Sequence, residues 1–377
     1  MPNEHNRPSP IEISAAVVYE RGGSFQIERV ELAGPGQGEV LVRVAASGIC
    51  QTDVHARDGY FPIPYPAVYG HEGAGIVEST GSGVEKVRPG DRVIMVFPSC
   101  GTCVYCVNRK PAYCLATPRL KYLGTRPDGS TVMSRNGAPI FSFFFQQSSF
   151  ATFALATERN LVKVSEDLPF KLLAALPCGI NTGAGAVLNV LRPRPGDSFA
   201  VFGAGAVGLA SLMVARLAGC EPIFAIDILP NRLTLARSLG ATHTINATNS
   251  DPVAKIREVT GGLGVRTSLE AAGSPKALRQ AVDCLQPMGT CCLVGSSRKG
   301  TEAGLDMNYL QNGRMIRGCI QGDSIPEEFI PRLIEHYRAG KLPVEQLVTF
   351  YRFEEINQAV GDSIAGKTIK AVLAMPD

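Results

Sequence analysis

The stretch SFAVFGAGAVGLASLMVARLA, residues 198–218, decides the fold. Ser198–Phe202 is an apolar, β-prone run that follows the turn-forming Pro195-Gly196-Asp197. Gly203-Ala204-Gly205-Ala206-Val207-Gly208 then fits G-x-G-x-x-G, and Ala206–Ala218 reads as a helix. Phe199 to Ala215 carries no charge and approaches the length of a membrane span. Its spaced glycines and β-rich start make it a strand, a turn and a helix instead. Gly203 permits the tight turn, Gly205 lets a pyrophosphate approach the backbone, and Gly208 allows close helix–strand packing. The helix N-terminus offers free N–H donors and a positive dipole end to phosphates.

Downstream, strands at Pro222–Ile226, His243–Ile245, Thr267–Ala271, Thr290–Val294 and Met315–Ile320 alternate with helices at Asn231–Leu239 and Pro275–Leu285. This rhythm predicts a doubly wound parallel sheet and an α/β fold class. Asp227, 19 residues after Gly208, sits where a carboxylate can bind the adenosine ribose of NAD and repel the 2′-phosphate of NADP. Capping of the helix before Pro230 is the other reading of Asp227. The nearby cation Arg232 leaves some use of NADP open. Val207 and Val294 belong to the same candidate dinucleotide site.

Upstream, Ala15–Val18, Val40–Val44, Gly75–Glu78 and Arg92–Val96 read as short strands separated by Gly and Pro turns. They predict an irregular antiparallel, barrel-like domain. Thr117–Ser149 reads as a long loop, whose Phe141, Phe143, Phe144 and Phe145 suit a packed loop, a dimer surface or a pocket wall. A final strand is expected at Thr368–Ala374. Domain boundaries fall near 180 and 321, giving one domain from 1–180 with 322–377 and a second from 181–321.

A length of 377 residues is enough for about two domains, each with its own core. With 45% hydrophobic and 19% charged residues the chain has a globular composition. A net charge of +3 without a long basic run gives nucleic-acid binding no support, and no membrane association is expected. Met1–Pro10 reads as a loose polar tail without a secretion signal, which points to the cytoplasm. Eleven cysteines, an odd number, in a chain of this length argue against a disulfide scaffold.

Cys100, Cys103, Cys106 and Cys114 form C-x2-C-x2-C-x7-C, a spacing that closes a tetrahedral shell around zinc or an iron–sulfur centre. Cys220, Cys284, Cys291, Cys292 and Cys319 read as core residues. Cys50, His71 and Cys178 are too widely separated for spacing alone to unite them.

The segments Gly48-Ile49-Cys50-Gln51-Thr52-Asp53-Val54-His55, Gly70-His71-Glu72-Gly73-Ala74-Gly75 and Cys178-Gly179-Ile180-Asn181-Thr182-Gly183 stand in order with the cysteine tetrad and the glycine loop. From about residue 15 onward this series resembles the zinc-dependent medium-chain alcohol dehydrogenases, and most of all the bacterial aryl-alcohol (benzyl-alcohol) dehydrogenases. The resemblance implies a GroES-like β-barrel catalytic domain beside a Rossmann cofactor domain. It assigns Cys50, His71 and Cys178 to a catalytic zinc with an open fourth position, and the tetrad to a structural zinc, one of each per subunit. Glu72 corresponds to the acid behind the metal, and Asp53 to the carboxylate that orients the histidine. Thr52 and His55 match a proton relay, with a plain surface histidine as the alternative for His55. Thr182 corresponds to a nicotinamide contact, Lys370 to a pyrophosphate contact, and Phe97 to a pocket position beside the zinc.

The implied reaction is reversible, NAD-dependent oxidation of a primary aromatic or allylic alcohol to its aldehyde. Zinc would act on the alcohol oxygen as a Lewis acid while hydride passes to nicotinamide. A glutathione-dependent formaldehyde dehydrogenase and a non-catalytic NAD or zinc sensor on the same fold are the alternatives. Dimers or tetramers are the implied assemblies. Gln51 departs from the arginine or histidine frequent at its position, and a neutral amide binds phosphate more weakly. A hydrogen bond to a charged group contributes about 1.5–3 kcal/mol, so Gln51→Arg should slow NADH release on the order of tenfold in stopped-flow fluorescence.

Overall fold

Phe199–Phe202 is buried along its whole length because it lies inside a six-stranded parallel sheet. In this computed structural model, which describes residues 8–165 and 167–376, the sheet order is His243–Asn246, Ile223–Asp227, Phe199–Phe202, Val265–Glu270, Leu285–Leu293 and Met315–Gly318. Strand order reverses at Phe199–Phe202, so the crevice beyond its carboxyl end is the ligand position of a doubly wound sheet. Gly203 has φ +102°, a left-handed turn that glycine adopts without strain. Helices Ala206–Leu217, Pro230–Ser238 and Pro275–Asp283 follow their strands closely, and the latter two open with proline at a first-turn position.

Leu285–Leu293 begins five residues before the expected Thr290. Gln286-Pro287-Met288-Gly289 looks like a turn, yet the strand runs through it with Met288 at φ +63°. The register shift against Val265–Thr267 marks a bulge that absorbs this segment.

The chain divides into two compact units: residues through Cys178, with Ile325–Arg332 and those from Glu345 onward, and a second made of Gly179–Ser324 with Leu333–Val344. Of the expected N-terminal tail, residues 1–7 lie outside the described residues.

The first unit is built around the strand Glu39–Gly48, almost continuously buried. It pairs antiparallel with Gly73–Thr80, Phe153–Thr157 and Lys370–Ala374. Register shifts at Leu41/Val42 and Val44/Ala46 bend it enough to serve three partners. A second sheet runs Ala67–Val68, Ile11–Val18, Gln26–Leu32, Met133–Arg135 and Ala138–Ile140, and both sheets contribute to one apolar core.

Thr117–Ser149 is more ordered than the loop expected there. It contains the helix Thr117–Tyr122, the paired strands Met133–Arg135 and Ala138–Ile140, and a 3-10 turn at Phe144–Gln146. These elements are too short to show periodicity. Phe145, Gln146 and Ser148 take left-handed φ values of +53°, +52° and +48°, a conformation no glycine announces. The helical stretch Phe170–Leu191 is long and apolar enough to cross a membrane, but its most apolar window is 78% buried inside the fold, as in a core helix.

Arg126 anchors this segment through a buried two-pronged pair with Glu39, Nε to Oε1 at 2.7 Å and Nη2 to Oε2 at 2.9 Å. Removing one partner leaves the other charge buried and uncompensated. Arg126→Met should therefore cost about 3–5 kcal/mol of stability in denaturant unfolding.

Candidate functional site

Cys50 stands at the N-cap of the helix Gln51–Arg57 in an extended conformation. On that helix Thr52 and His55, three residues apart, share a face while Asp53 points inward and is 1% exposed. The Asp53 carboxylate ties two chain segments together. Its Oδ2 accepts from Cys50 N at 2.9 Å, and its Oδ1 accepts from Gly70 N at 3.2 Å and from His71 Nδ1 at 2.8 Å. Gly70 is required there: its φ is +94°, and a Cβ would lie 2.5 Å from Phe150 N. With Nδ1 occupied, His71 presents Nε2, which is buried without a hydrogen-bond partner.

The Cys50 and Cys178 sulfurs lie 3.8 Å apart, and the donor atoms of Cys50, His71, Glu72 and Cys178 are all within 4.8 Å of one another. Zn–S bonds of about 2.3 Å give a tetrahedral edge near 3.8 Å, so the set fits zinc. The hydrogen bond from Cys178 pulls the Cys50 thiol well down against burial, with help from His71. Burial opposes a charged His71, but Asp53 and Cys50 outweigh it and raise the imidazole to about 10.

Glu72 sits behind this cluster, 0% exposed, with Lys370 Nζ on its Oε2. Lys370 also donates to Ile49 O at 3.1 Å, and despite burial the Glu72 carboxylate holds it above the usual lysine range. At 2% exposure the Lys370 ammonium is held by Glu72 and Ile49 beside the candidate ligands. Thr52 Oγ1 is 3.8 Å from Cys50 Sγ. His55, half-buried, stacks on Tyr60 at 4.3 Å.

The tetrad closes as its spacing requires. Cys100 and Cys106 sulfurs are 3.9 Å apart, and those of Cys103 and Cys114 are 4.0 Å apart. Backbone N–H groups donate to these sulfurs, Cys103 N to Cys100 at 3.3 Å and Cys100 N to Cys114 at 3.2 Å. Such donors favour thiolates, and although burial opposes it, Cys100 is lowered to about 6. Four thiolates leave no open position, the mark of a structural zinc shell.

An aromatic wall borders the catalytic cluster. The Phe145 ring lies 4.6 Å from His71, and the Phe144 ring 5.8 Å. The phenylalanine run therefore packs directly on a candidate ligand, which nothing in its composition could distinguish from ordinary packing. Phe97 is 4% exposed, and the ammonium of Lys121 stands 5.3 Å from its ring and 5.1 Å from that of Phe145. Burial pushes Lys121 down to about 8. Sequence reading passed over Lys121, because its helix of six residues shows no face.

In the second unit, a Cβ on Gly208 would lie 1.8 Å from Gly203 O, whereas one on Gly205 would meet nothing within 4 Å. The helix thus packs tightly on the strand while the backbone at Gly205 stays open to a pyrophosphate. Asp227, 7% exposed, accepts from Ala204 N at 2.6 Å, Ile228 N at 2.8 Å and Leu229 N at 2.9 Å. It joins the glycine loop to the residues just before the next helix without capping that helix, whose N-cap is Leu229 with no side-chain cap bond. Arg232 Nη1 is 3.9 Å from Asp227 Oδ2. Val207 and Val294 are half-buried, and Thr182 lies on the helix Asn181–Gly185. The remaining five cysteines are buried, with Cys284, Cys291 and Cys292 at 0%.

Residues 36–166 match the alcohol dehydrogenase GroES-like domain, and residues 206–337 match the zinc-binding dehydrogenase domain. The chain is 43% identical over 366 residues to geraniol dehydrogenase of Castellaniella defragrans, covering 96% of this chain and 98% of that protein. Its structure is similar to an alcohol dehydrogenase zinc-binding domain protein of Burkholderia ambifaria, with TM-score 0.95, 47% identity and coverage of 98% and 100%. It is also similar to benzyl alcohol dehydrogenase of Acinetobacter calcoaceticus, with TM-score 0.93, 44% identity and coverage of 97% and 100%.

Metal analysis should find about two zinc ions per subunit, falling to about one in Cys103→Ser that remains folded. A metal ion on Nε2 must displace the His71 proton. A chelator should accordingly strip the catalytic zinc faster at pH 6 than at pH 8, followed by zinc content against time.

Proposed function

The chain belongs to the zinc-dependent medium-chain alcohol dehydrogenases, and from this we propose that it oxidises primary aromatic or allylic alcohols reversibly to their aldehydes, with NAD as hydride acceptor. The observation that carries the substrate class is the packing of the Phe145 ring on His71, with Phe97 buried nearby. An apolar, ring-lined surface beside the metal ligands favours conjugated alcohols over small aliphatic ones. The names of two relatives, geraniol dehydrogenase and benzyl alcohol dehydrogenase, support the same range.

Cys50, His71 and Cys178 hold the zinc in this reading, and Asp53 keeps the imidazole in one tautomer and one orientation. Bound zinc supplies Lewis acidity that lets an alcohol hydroxyl lose its proton near neutral pH. Thr52 accepts that proton and His55, on the same face of the helix, passes it towards solvent. The Glu72–Lys370 pair keeps a neutral, fixed backing behind the thiolates. The open backbone at Gly205 receives the pyrophosphate, and Asp227 binds the adenosine ribose. Thr182 and Val294 border the nicotinamide end, while Arg232 beside Asp227 leaves room for slower use of NADP.

The unpaired edge strand Met315–Gly318, with Met315 53% exposed beside Met288 at 60%, supports self-association as a dimer or tetramer. Eleven cysteines that form no disulfide among the described residues suit the reducing cytoplasm.

The reading is checked by NAD-linked kcat/KM over benzyl, cinnamyl, geraniol, ethanol and S-hydroxymethylglutathione substrates. The conjugated alcohols should exceed ethanol on the order of tenfold or more. A preference for ethanol, or turnover of the glutathione adduct alone, would refute it.

A further inference from the structure

Lys121 lies near the catalytic cluster, and the chemistry above does not use it. It lies on the helix Thr117–Tyr122 and is 2% exposed. A lysine lying over apolar surface ordinarily lets its ammonium reach water. Here the side chain as a whole is buried. Its ammonium makes no hydrogen bond or ion pair among the described residues, and faces the rings of Phe97 at 5.3 Å and Phe145 at 5.1 Å. Aromatic faces attract a cation but occupy none of its three donors.

The surrounding packing fixes where the ammonium stands. Tyr122 stacks on Phe61 at 4.2 Å and meets Phe145 edge-on at 5.7 Å, so the helix and the ring are held together. Phe145 in turn lies 4.6 Å from His71. The anionic groups that act on Lys121 are the thiolates of Cys178 and Cys114, one from each candidate zinc shell, which a bound zinc ion would engage. What this arrangement lacks is an acceptor, and the site next to it is the one that receives substrate.

We propose that Lys121 is a specificity-determining residue whose ammonium receives an anionic acceptor, a carboxylate or its equivalent, carried on the ring of the alcohol opposite the carbinol. This rests on the reading of Cys50, His71 and Cys178 as the site that binds the alcohol. The ammonium stands 5.1 Å from the Phe145 ring and that ring 4.6 Å from His71, within reach of a ring-substituted benzyl alcohol whose hydroxyl lies at the zinc that Cys50, His71 and Cys178 would hold. Such a substrate exchanges an unpaired buried cation for a charge-assisted hydrogen bond. An unsubstituted ring leaves the ammonium as it is.

The test is calorimetric titration of the full-length, zinc-loaded protein saturated with NADH, in which an alcohol binds without reacting. The probes are 4-(hydroxymethyl)benzoate, 4-(hydroxymethyl)benzamide and benzyl alcohol. The wild type should bind the benzoate at least about tenfold more tightly than the amide of the same shape. In Lys121→Met the ratio of benzoate to benzyl alcohol affinity should fall by a similar factor, and Lys121→Arg should restore part of it. Equal affinity for benzoate and benzamide in the wild type would overturn the proposal even if Lys121→Met failed to fold. So would an equal loss for all probes in Lys121→Met, which would make Lys121 a counter-charge for the thiolates. The wider reading of the enzyme fails on a separate result, the absence of NAD-linked turnover of any aromatic alcohol.

Discussion

The carboxylate of Asp53 is the constraint on which the catalytic cluster depends. A single buried side chain accepts from Cys50 N, Gly70 N and His71 Nδ1. Two ligands from different segments are thereby set against each other before any metal arrives. The hydrogen bond to Nδ1 also fixes the tautomer, leaving Nε2 as the only nitrogen able to bind an ion. The neighbouring backbone has followed this demand: Gly70 takes a left-handed conformation where a side chain would strike Phe150. The third ligand, Cys178, comes from within the long, mostly buried helical stretch Phe170–Leu191, so its sulfur is placed by core packing.

Much of this was legible because metal and phosphate chemistry restrict residue identity. Only thiolates and imidazoles make these shells, and only glycines fit Gly203 and Gly208, so the residues name themselves. The parallel sheet was legible for another reason. Strands such as Phe199–Phe202 and Ile223–Asp227 are buried on both faces, and their apolar runs stand out between turns.

What escaped reading is governed by pairing in space. The ammonium of Lys370 is held by Glu72, almost three hundred residues earlier, a pairing that nothing in the sequence announces. Thr117–Ser149 looked like a loop because its helix and strands are only three to six residues long. Phe145 adopts its left-handed conformation without glycine or asparagine to signal it, and its ring lies 4.6 Å from that of His71. Capping by Asp227 was the alternative to ribose binding, yet its carboxylate bonds the glycine loop and the two residues before the helix, and the helix N-cap is Leu229.

The proximity of the Cys50 and Cys178 sulfurs carries a consequence for the lifetime of the protein. Separated by 3.8 Å, and with Cys50 held well below the ordinary thiol range, they form a nucleophile and its resolving partner whenever they are not bonded to an ion. The same geometry that selects zinc therefore makes the pair a ready dithiol for oxidants. Retention of the metal shields the ligands from oxidation, so in air the durability of this protein is set by how slowly it lets the ion go.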